Sequence, residues 1–147
     1  MLYFKTYRFD ELSTARLYDI LALRAEVFIV EQTSPYLDLD GLDQKALHFC
    51  MTENETLIGY ARIFAPGIKF AEASIGRIVI APNYRGQALG REIVQRSINE
   101  VQNRFGSISI RIEAQYHLRD FYGSLGFAID SEIYDWGGIE HVKMVRL

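Results

Sequence analysis

One stretch of the sequence combines glycine and arginine in a pattern suited to holding a phosphate group. Residues 74–94, SIGRIVIAPNYRGQALGREIV, are predicted to run from a strand through a tight turn into a helix. Exposed backbone N–H groups at such a helix start, helped by the helix dipole, favour phosphate or pyrophosphate. Gly86 and Gly90 let the backbone approach an anion closely. Arg85 and Arg91 would add positive charge there, although a glycine-containing turn without any ligand has the same sequence appearance.

A second segment carries a tyrosine in a short predicted helix. Residues 113–127 read EAQYHLRDFYGSLGF, and the helix is predicted to run from His117 to Leu125 and to end at Gly126. Tyr122 by itself is best explained as a core tyrosine whose hydroxyl is satisfied. A chemical role for it therefore needs support from elsewhere in the sequence.

The third candidate is a set of charged residues nearer the N-terminus. Arg24 and Glu31 continue the apolar stripe of a predicted helix. The loop that follows, residues 33–45, carries Asp38, Asp40 and Asp43. A buried ion-pair network that holds the loop and a role in substrate binding explain these charges equally well. The acidic loop either attracts a cationic amine or is simply solvated.

Together these motifs resemble those of the GNAT superfamily of N-acetyltransferases. Residues 85–90, RGQALG, are similar to its acetyl-CoA loop, Q/R-x-x-G-x-G/A, and residues 75–81 to the strand before that loop. Residues 113–127 resemble its motif B, which ends in FYxxxGF. Residues 24–41 resemble the ElaA-type branch of the superfamily, and with His141 the likeness covers nearly the whole chain.

The resemblance implies that acetyl-CoA is the co-substrate. Its pyrophosphate would lie on the glycine turn, and its pantetheine would pair with the preceding strand. The residues implied in this binding are Ile78, Val79, Ile80, Arg85, Gly86, Gln87, Ala88, Leu89, Gly90 and Arg91. The family usually has glycine where this chain has Ala88. The added methyl group is compatible with pyrophosphate binding provided that Ala88 keeps a negative φ.

The resemblance also implies that an amine attacks the thioester carbonyl directly. A backbone N–H near residues 78–80 would stabilise the resulting oxyanion. In the family, the tyrosine that matches Tyr122 lies near the cofactor sulfur and often protonates the departing thiolate. Because a free alkyl amine has a pKa of about 10.4, a base or water chain must take its proton. Glu113 and His117 are the first candidates, with Glu31 and His48 behind them. The residues expected around the acceptor are Arg24, Phe28, Glu31 and His48, and no metal is expected.

The elements that must position these residues mix helices and strands. Strands are predicted over residues 2–9, 46–53, 56–64, 73–81 and 107–113, with two more between 128 and 146 around the turn Trp136-Gly137-Gly138. Long helices are predicted over about 14–31 and 89–104. We therefore expect an α+β fold, an α/β sandwich that has a mixed, mostly antiparallel sheet with helices on both faces, as in GNAT proteins.

Composition narrows the class of protein. The chain has 147 residues, which fits a single domain over 1–147, and its net charge of −3 without a basic run argues against a nucleic-acid partner. No stretch reaches the length of a membrane span, so no membrane partner is expected. Cys50 is the only cysteine and is predicted to be a small buried strand residue. These features predict a cytoplasmic protein.

Two other functions stay open at the level of sequence. An acyl-homoserine-lactone synthase has the same fold and a loosely similar N-terminal region, and a CoA-binding module without catalysis would need the same loop. The acceptor is equally open between a small-molecule amine and a protein amine. The aromatic C-terminal strands, with Tyr134 and Trp136, are candidates for the edge of a homodimer.

Overall fold

One eight-stranded sheet runs through the centre of the molecule. The computed structural model describes all residues from 1 to 147. The strands are β1 (Leu2–Arg8), β2 (Leu47–Glu53), β3 (Thr56–Phe64), β4 (Ala73–Ile80), β5 (Ile110–Gln115), β6 (Ala128–Ile129), β7 (Tyr134–Trp136) and β8 (Ile139–Arg146). Their order is β1-β2-β3-β4-β5-β8-β6, and β7 pairs with β8. Only β4 and β5 are parallel, which confirms the mixed, mostly antiparallel sheet.

Three α-helices accompany the sheet. They are α1 (Thr14–Arg24), α2 (Leu89–Phe105) and the short α3 (Arg119–Gly123). The Ser13 hydroxyl accepts the N–H of Arg16 and so caps α1, as its residue type predicts. Residues Ala25–Glu31 continue α1 as a π-helix. No helix of the chain is both long enough and apolar enough to span a lipid bilayer.

The sheet separates two apolar clusters, because successive strand residues point to opposite faces. Under α1, Ile20 and Leu23 pack with Cys50 and Tyr60 in the smaller cluster. On the other face, the larger cluster joins α2 to the sheet, and its members include Met51, Ile58, Ile93 and Ile98. The helices therefore cover both faces, as the sequence pattern predicts.

The sheet opens between its two parallel strands. β4 and β5 pair only at Ala73 with Ile110 and at Ser74 with Arg111, and beyond those residues both strands continue without each other. On its other edge β4 bulges against β3, since the register shifts between Tyr60 and Arg62. Arg77, in this bulge, has a φ of 49°. The result is a wedge-shaped gap along the C-terminal part of β4.

Candidate active site

The gap between β4 and β5 widens into a cavity of about 610 Å³ with a mostly apolar wall. At one end lies the glycine turn, residues 85–91, which we call the anion loop. At the other end lie the segment 32–36 and the hairpin of β7 and β8. We call this the acceptor end, because an amine acceptor is expected on the side away from the anion loop. Phe28 and the predicted strand residues Ile78, Val79 and Ile80 line the cavity between these ends. Its size suits an elongated ligand with an apolar middle.

The anion loop presents a row of free backbone donors. The six N–H groups from Gly86 to Arg91 donate to no acceptor in the protein, and the first helical bond in α2 comes from Glu92 to the Ala88 carbonyl. No side chain caps α2. Six adjacent unpaired donors at a helix start form a site for an anion, since such groups otherwise find a partner.

Ala88 departs from the expected conformation. Its φ is 60° and its ψ is 19°, so it is left-handed, as Gly86 is with a φ of 81°. The left-handed turn directs consecutive N–H groups to one side, which is why the position is favourable for glycine. The condition of a negative φ at Ala88 is therefore not met, and this alanine carries backbone strain instead.

Two of the predicted loop residues do not point freely at a ligand. Arg85 forms a salt bridge with Glu31 at 2.7 Å, and both side chains are more than 40% exposed. The hydrogen bond from Arg85 lowers the pKa of the Glu31 carboxyl. Gln87 lies outside the cavity, in a shallow depression beside the N-terminal strand. Arg85 thus reaches an anion only in competition with Glu31.

Tyr122 lies on the cavity wall with its hydroxyl unused. Its side chain is buried in α3 among Phe121 and Phe127, yet the hydroxyl makes no hydrogen bond within the protein. Burial raises the pKa of Tyr122 to about 12, because the charged phenolate is poorly solvated. No other group of the protein therefore satisfies this hydroxyl, which keeps access to solvent.

The two predicted bases are in different surroundings. Glu113 lines the cavity, accepts a hydrogen bond from Tyr134 at 2.7 Å and pairs with Lys69 at 3.1 Å. Burial alone would raise the pKa of Glu113, but these two partners outweigh it and hold the pKa below its usual value. His117 is exposed, makes no hydrogen bond and lies outside the cavity. The structure therefore brings Glu113 to the site and leaves His117 on the surface.

His141 is a functional candidate that the sequence did not assign to catalysis. Its Nδ1 lies 2.8 Å from the Ile139 carbonyl, which can only accept, so Nδ1 carries the proton. In the neutral ring, Nε2 then has a free lone pair. The ring packs against Tyr134 and Trp136 and lines the cavity, buried to 9% exposure. The sequence contains only a weak indication that His141 is functional, namely its position on a strand in which apolar and polar residues alternate.

A buried Arg–Asp network stands behind the acceptor end. It consists of Arg24, Arg62, Arg77, Asp38, Asp40 and Asp43. Arg24, with no exposed surface, binds Asp38 at 2.9 Å and Asp43 at 2.8 Å. Three arginines face three aspartates, so the network is balanced in formal charge.

Two predicted acceptor residues belong to this network and its surroundings and not to the cavity. His48 has no exposed surface and binds the Tyr60 hydroxyl at 2.6 Å and the Asp43 carbonyl at 2.8 Å. Neither His48 nor Arg24 lines the cavity, so no substrate can reach them. Burial lowers the pKa of His48, which favours a neutral ring. Of the two explanations that the sequence allows for Arg24, a buried ion-pair network and a role in substrate binding, the structure shows the ion-pair network.

Several cavity residues escaped sequence analysis because distant segments bring them together. Gln32 binds Gln115 at 3.1 Å, and the Tyr36 and Trp136 rings lie 4.2 Å apart. Trp136, a candidate dimer residue, therefore faces the site. Arg77 looks like an ordinary strand residue in the sequence, and only the β4 bulge turns it toward the cavity.

Comparisons with known proteins agree with this geometry. Residues 16–147 match the family model of the acetyltransferase (GNAT) domain. The UPF0039 protein sll0451 of Synechocystis sp. is 40% identical over 94% of this chain and 90% of its own length. ElaA of Escherichia coli is 33% identical over 99% of this chain and 97% of its own length.

Solved structures extend the comparison to the fold. The crystal structure of Escherichia coli ElaA covers 100% of both chains at 32% identity, with a TM-score of 0.93. That of an acyl-CoA N-acyltransferase from Pseudomonas aeruginosa also covers 100% of both chains at 32% identity, with a TM-score of 0.96. This chain therefore belongs to the GNAT acetyltransferase family, within its ElaA-like branch, and has the acyltransferase fold of that family.

Proposed function

We propose that this protein is an N-acetyltransferase that moves an acetyl group from acetyl-CoA to a primary amine by direct attack on the thioester. Family membership supports acyl transfer from an acyl-CoA, and the acetyl group and the amine are the parts proposed here. The observation that carries the proposal is the row of unpaired N–H groups from Gly86 to Arg91 at one end of a cavity that also contains the unused hydroxyl of Tyr122.

The residues of the cavity suit the parts of acetyl-CoA. The free donors of the anion loop match a pyrophosphate in charge and in number. The edge of β4 beyond Ser74 has no strand partner on the β5 side, so its backbone groups are available to the amides of a pantetheine chain. A ligand in this gap would carry its thioester toward Tyr122 and the acceptor end.

Tyr122 is the proposed general acid. Its raised pKa keeps the phenol protonated at neutral pH, and the proton would go to the sulfur as the thiolate departs. The same poor solvation that disfavours the phenolate disfavours a buried thiolate, which favours transfer of the proton to sulfur. A positioned acid of this kind contributes about 10²–10⁴-fold to a rate.

His141 is the proposed general base. The acceptor amine has to lose a proton before or during attack, and Nε2 of His141 has a lone pair on the cavity side of a fixed ring. Glu113 is less suited, because a carboxylate whose pKa is held low binds a proton weakly. We assign Glu113 to holding Tyr134, whose ring packs against His141.

The test is a calorimetric titration of acetyl-CoA into the purified protein, with desulfo-CoA and NADH as controls. We expect saturable binding of the CoA compounds and none of NADH. Addition of amines to the acetyl-CoA complex should then release free thiol. S-adenosylmethionine is included among the amines, because its use would favour a lactone synthase.

The outcomes separate the candidate functions. Absence of acetyl-CoA binding would contradict the proposal at its first step. Tight binding without thiol release for any amine would favour a CoA-binding module. Thiol release that requires an amine supports the acetyltransferase.

A further inference from the structure

Arg77 brings one unused hydrogen-bonding group to the acceptor end. Its Nε donates to the Asp38 carboxylate at 2.7 Å, and its Nη2 donates to the Asp38 carbonyl at 3.0 Å. Nη1 has no partner in the protein, and it is not among the buried unsatisfied atoms, so it keeps access to solvent. Since Arg77 lines the cavity, this free edge of the guanidinium is available to a ligand.

The guanidinium is fixed in place from several sides. Only 12% of the Arg77 side chain is exposed, and Asp40 lies 3.5 Å from Nη2 in addition to Asp38. The Tyr36 and Trp136 rings each lie within 6 Å of its central carbon. A cation that is already oriented and partly desolvated loses little entropy on binding an anion.

The backbone adopts an unfavourable conformation to place this side chain. Arg77 is a non-glycine residue with a φ of 49°, in the left-handed region that side chains other than glycine rarely adopt. The bonds to Asp38 hold it there. A strained residue that lines a cavity and keeps an unpaired donor indicates a role at that cavity beyond the support of the sheet.

The acceptor end is also covered by contacts between distant segments. Gln32 binds Gln115, the Ser34 hydroxyl donates to the Gly137 carbonyl, and the Tyr36 ring meets Trp136 edge-on. The first contact joins the segment after the π-helix to the end of β5, and the other two join it to the C-terminal hairpin. Because these contacts restrict access to the acceptor end, they favour a small free molecule over a folded protein as acceptor.

From this arrangement we propose that the acceptor is a small amine that also carries a carboxylate, that is, a compound of the amino-acid class. This inference rests on the proposed acetyltransferase function. The carboxylate binds Nη1 of Arg77, which leaves the amine of the same molecule for the His141 side of the cavity. A polyamine has no hydrogen-bond acceptor for Nη1.

The test compares amino acids with their carboxamides in the wild-type protein. In glycine and glycinamide, and in phenylalanine and phenylalaninamide, a charged carboxylate is compared with a neutral carboxamide of similar shape. With thiol release as the readout, we expect kcat/KM to be at least tenfold higher for each acid than for its amide, a charged hydrogen bond being stronger than a neutral one. The amine of the amide is less basic and therefore loses its proton more easily. This effect alone would raise kcat/KM for the amide, so it cannot produce the expected preference for the acid. Equal use of both, or preference for amides or for spermidine, would overturn the proposal.

A variant tests whether Arg77 is the cause of the preference. Arg77→Asn removes the guanidinium but suits the left-handed backbone, and Asp38 keeps Arg24 as a partner. We expect KM for the acids to rise until kcat/KM is about the same for acid and amide. Asp40→Asn is the matched control, since it disturbs the network but retains Arg77, and it should keep the preference for acids.

Failure of this inference is distinct from failure of the proposed function. Thiol release with amides or polyamines but not with amino acids would overturn the carboxylate assignment and leave the acetyltransferase in place. Lack of acetyl-CoA binding, or of thiol release with every amine, would overturn both. An unchanged acid preference in Arg77→Asn would exclude Arg77 as its source.

Discussion

The two ends of the cavity differ in the chemical groups that form them. At the anion loop, the functional groups are main-chain N–H donors of six consecutive residues, all without a partner. Behind the acceptor end, by contrast, lie charged side chains from α1, the loop after the π-helix, β3 and β4, and all of them are paired. One end is local and open, whereas the other is assembled from distant parts of the chain and closed.

This difference shows where each end is vulnerable. A main-chain site depends on backbone conformation, so most side-chain changes at the loop should leave the fold intact. A buried charge network depends on every member, because removal of one leaves another charge unpaired in a poorly solvated place. The following changes test the contrast, in order of decreasing expected effect.

The largest effect is expected from Arg24→Met. This change removes a fully buried cation and leaves two arginines, Arg62 and Arg77, to balance the three aspartates of the network. We expect the free energy of unfolding, measured by denaturant titration, to fall by about 3–5 kcal/mol. Arg8→Met is the matched control, since Arg8 is 67% exposed and pairs only at the surface. A loss no larger than that of the control would contradict the contrast.

Tyr122→Phe tests the tyrosine hydroxyl in the cavity wall between the two ends. Its hydroxyl makes no bond in the protein, so its loss should leave stability and acetyl-CoA affinity nearly unchanged. Turnover should fall by about a hundredfold or more, because the departing thiolate loses its acid. Tyr116→Phe serves as control, since Tyr116 lies outside the cavity. Unchanged turnover in Tyr122→Phe would exclude the general-acid role.

Ala88→Gly sharpens the main-chain side of the contrast. Glycine accepts a φ of 60° without strain, so we expect the free energy of unfolding to rise by up to about 1 kcal/mol. Ala25→Gly is the same change at an exposed residue with a φ of −64°, and it should instead destabilise the protein by about 0.5–1 kcal/mol. Effects of the same sign would mean that the loop conformation is not strained.

The smallest effect is expected from Glu31→Gln. The change releases Arg85 from its salt bridge, so the arginine becomes available to the pyrophosphate. We expect acetyl-CoA affinity to rise by a few fold in calorimetry, consistent with the modest energy of an exposed ion pair. Glu26→Gln removes the same charge from an exposed residue without a partner and should leave affinity unchanged. A fall in affinity would show that Glu31 supports the loop.

Features that depend on neighbours in the sequence could be predicted. Ser13 caps α1, and Gly137 and Gly138 form the expected turn with φ values of 64° and 81°. The anion loop was found because its glycines, its arginines and the start of α2 are contiguous. The strand predicted over 107–113 begins later, at Ile110, because Gly106 ends α2 and a short turn follows.

Features that depend on distant contacts could not be predicted. An α-helix would have placed Glu31 on the same face as Arg24, but the π-helix from Ala25 rotates its end, so Arg24 is buried while Glu31 is exposed. The positive φ of Arg77 follows from the bulge against β3. Which charges are paired and which face a cavity is decided by the packing of segments far apart in sequence.

The short pairing between β4 and β5 also bears on how the molecule folds. Residues 47–80 contain β2, β3 and β4, an antiparallel meander whose neighbouring strands are close in sequence, and such local pairings form early. The parallel junction of Ala73 and Ser74 with Ile110 and Arg111 spans all of α2 and, like the pairing of β1 with β2, is less local than the meander. Since synthesis exposes the N-terminal part first, we expect that meander to form while the rest is still being made. The two-residue junction is then a late step that joins the halves of the sheet.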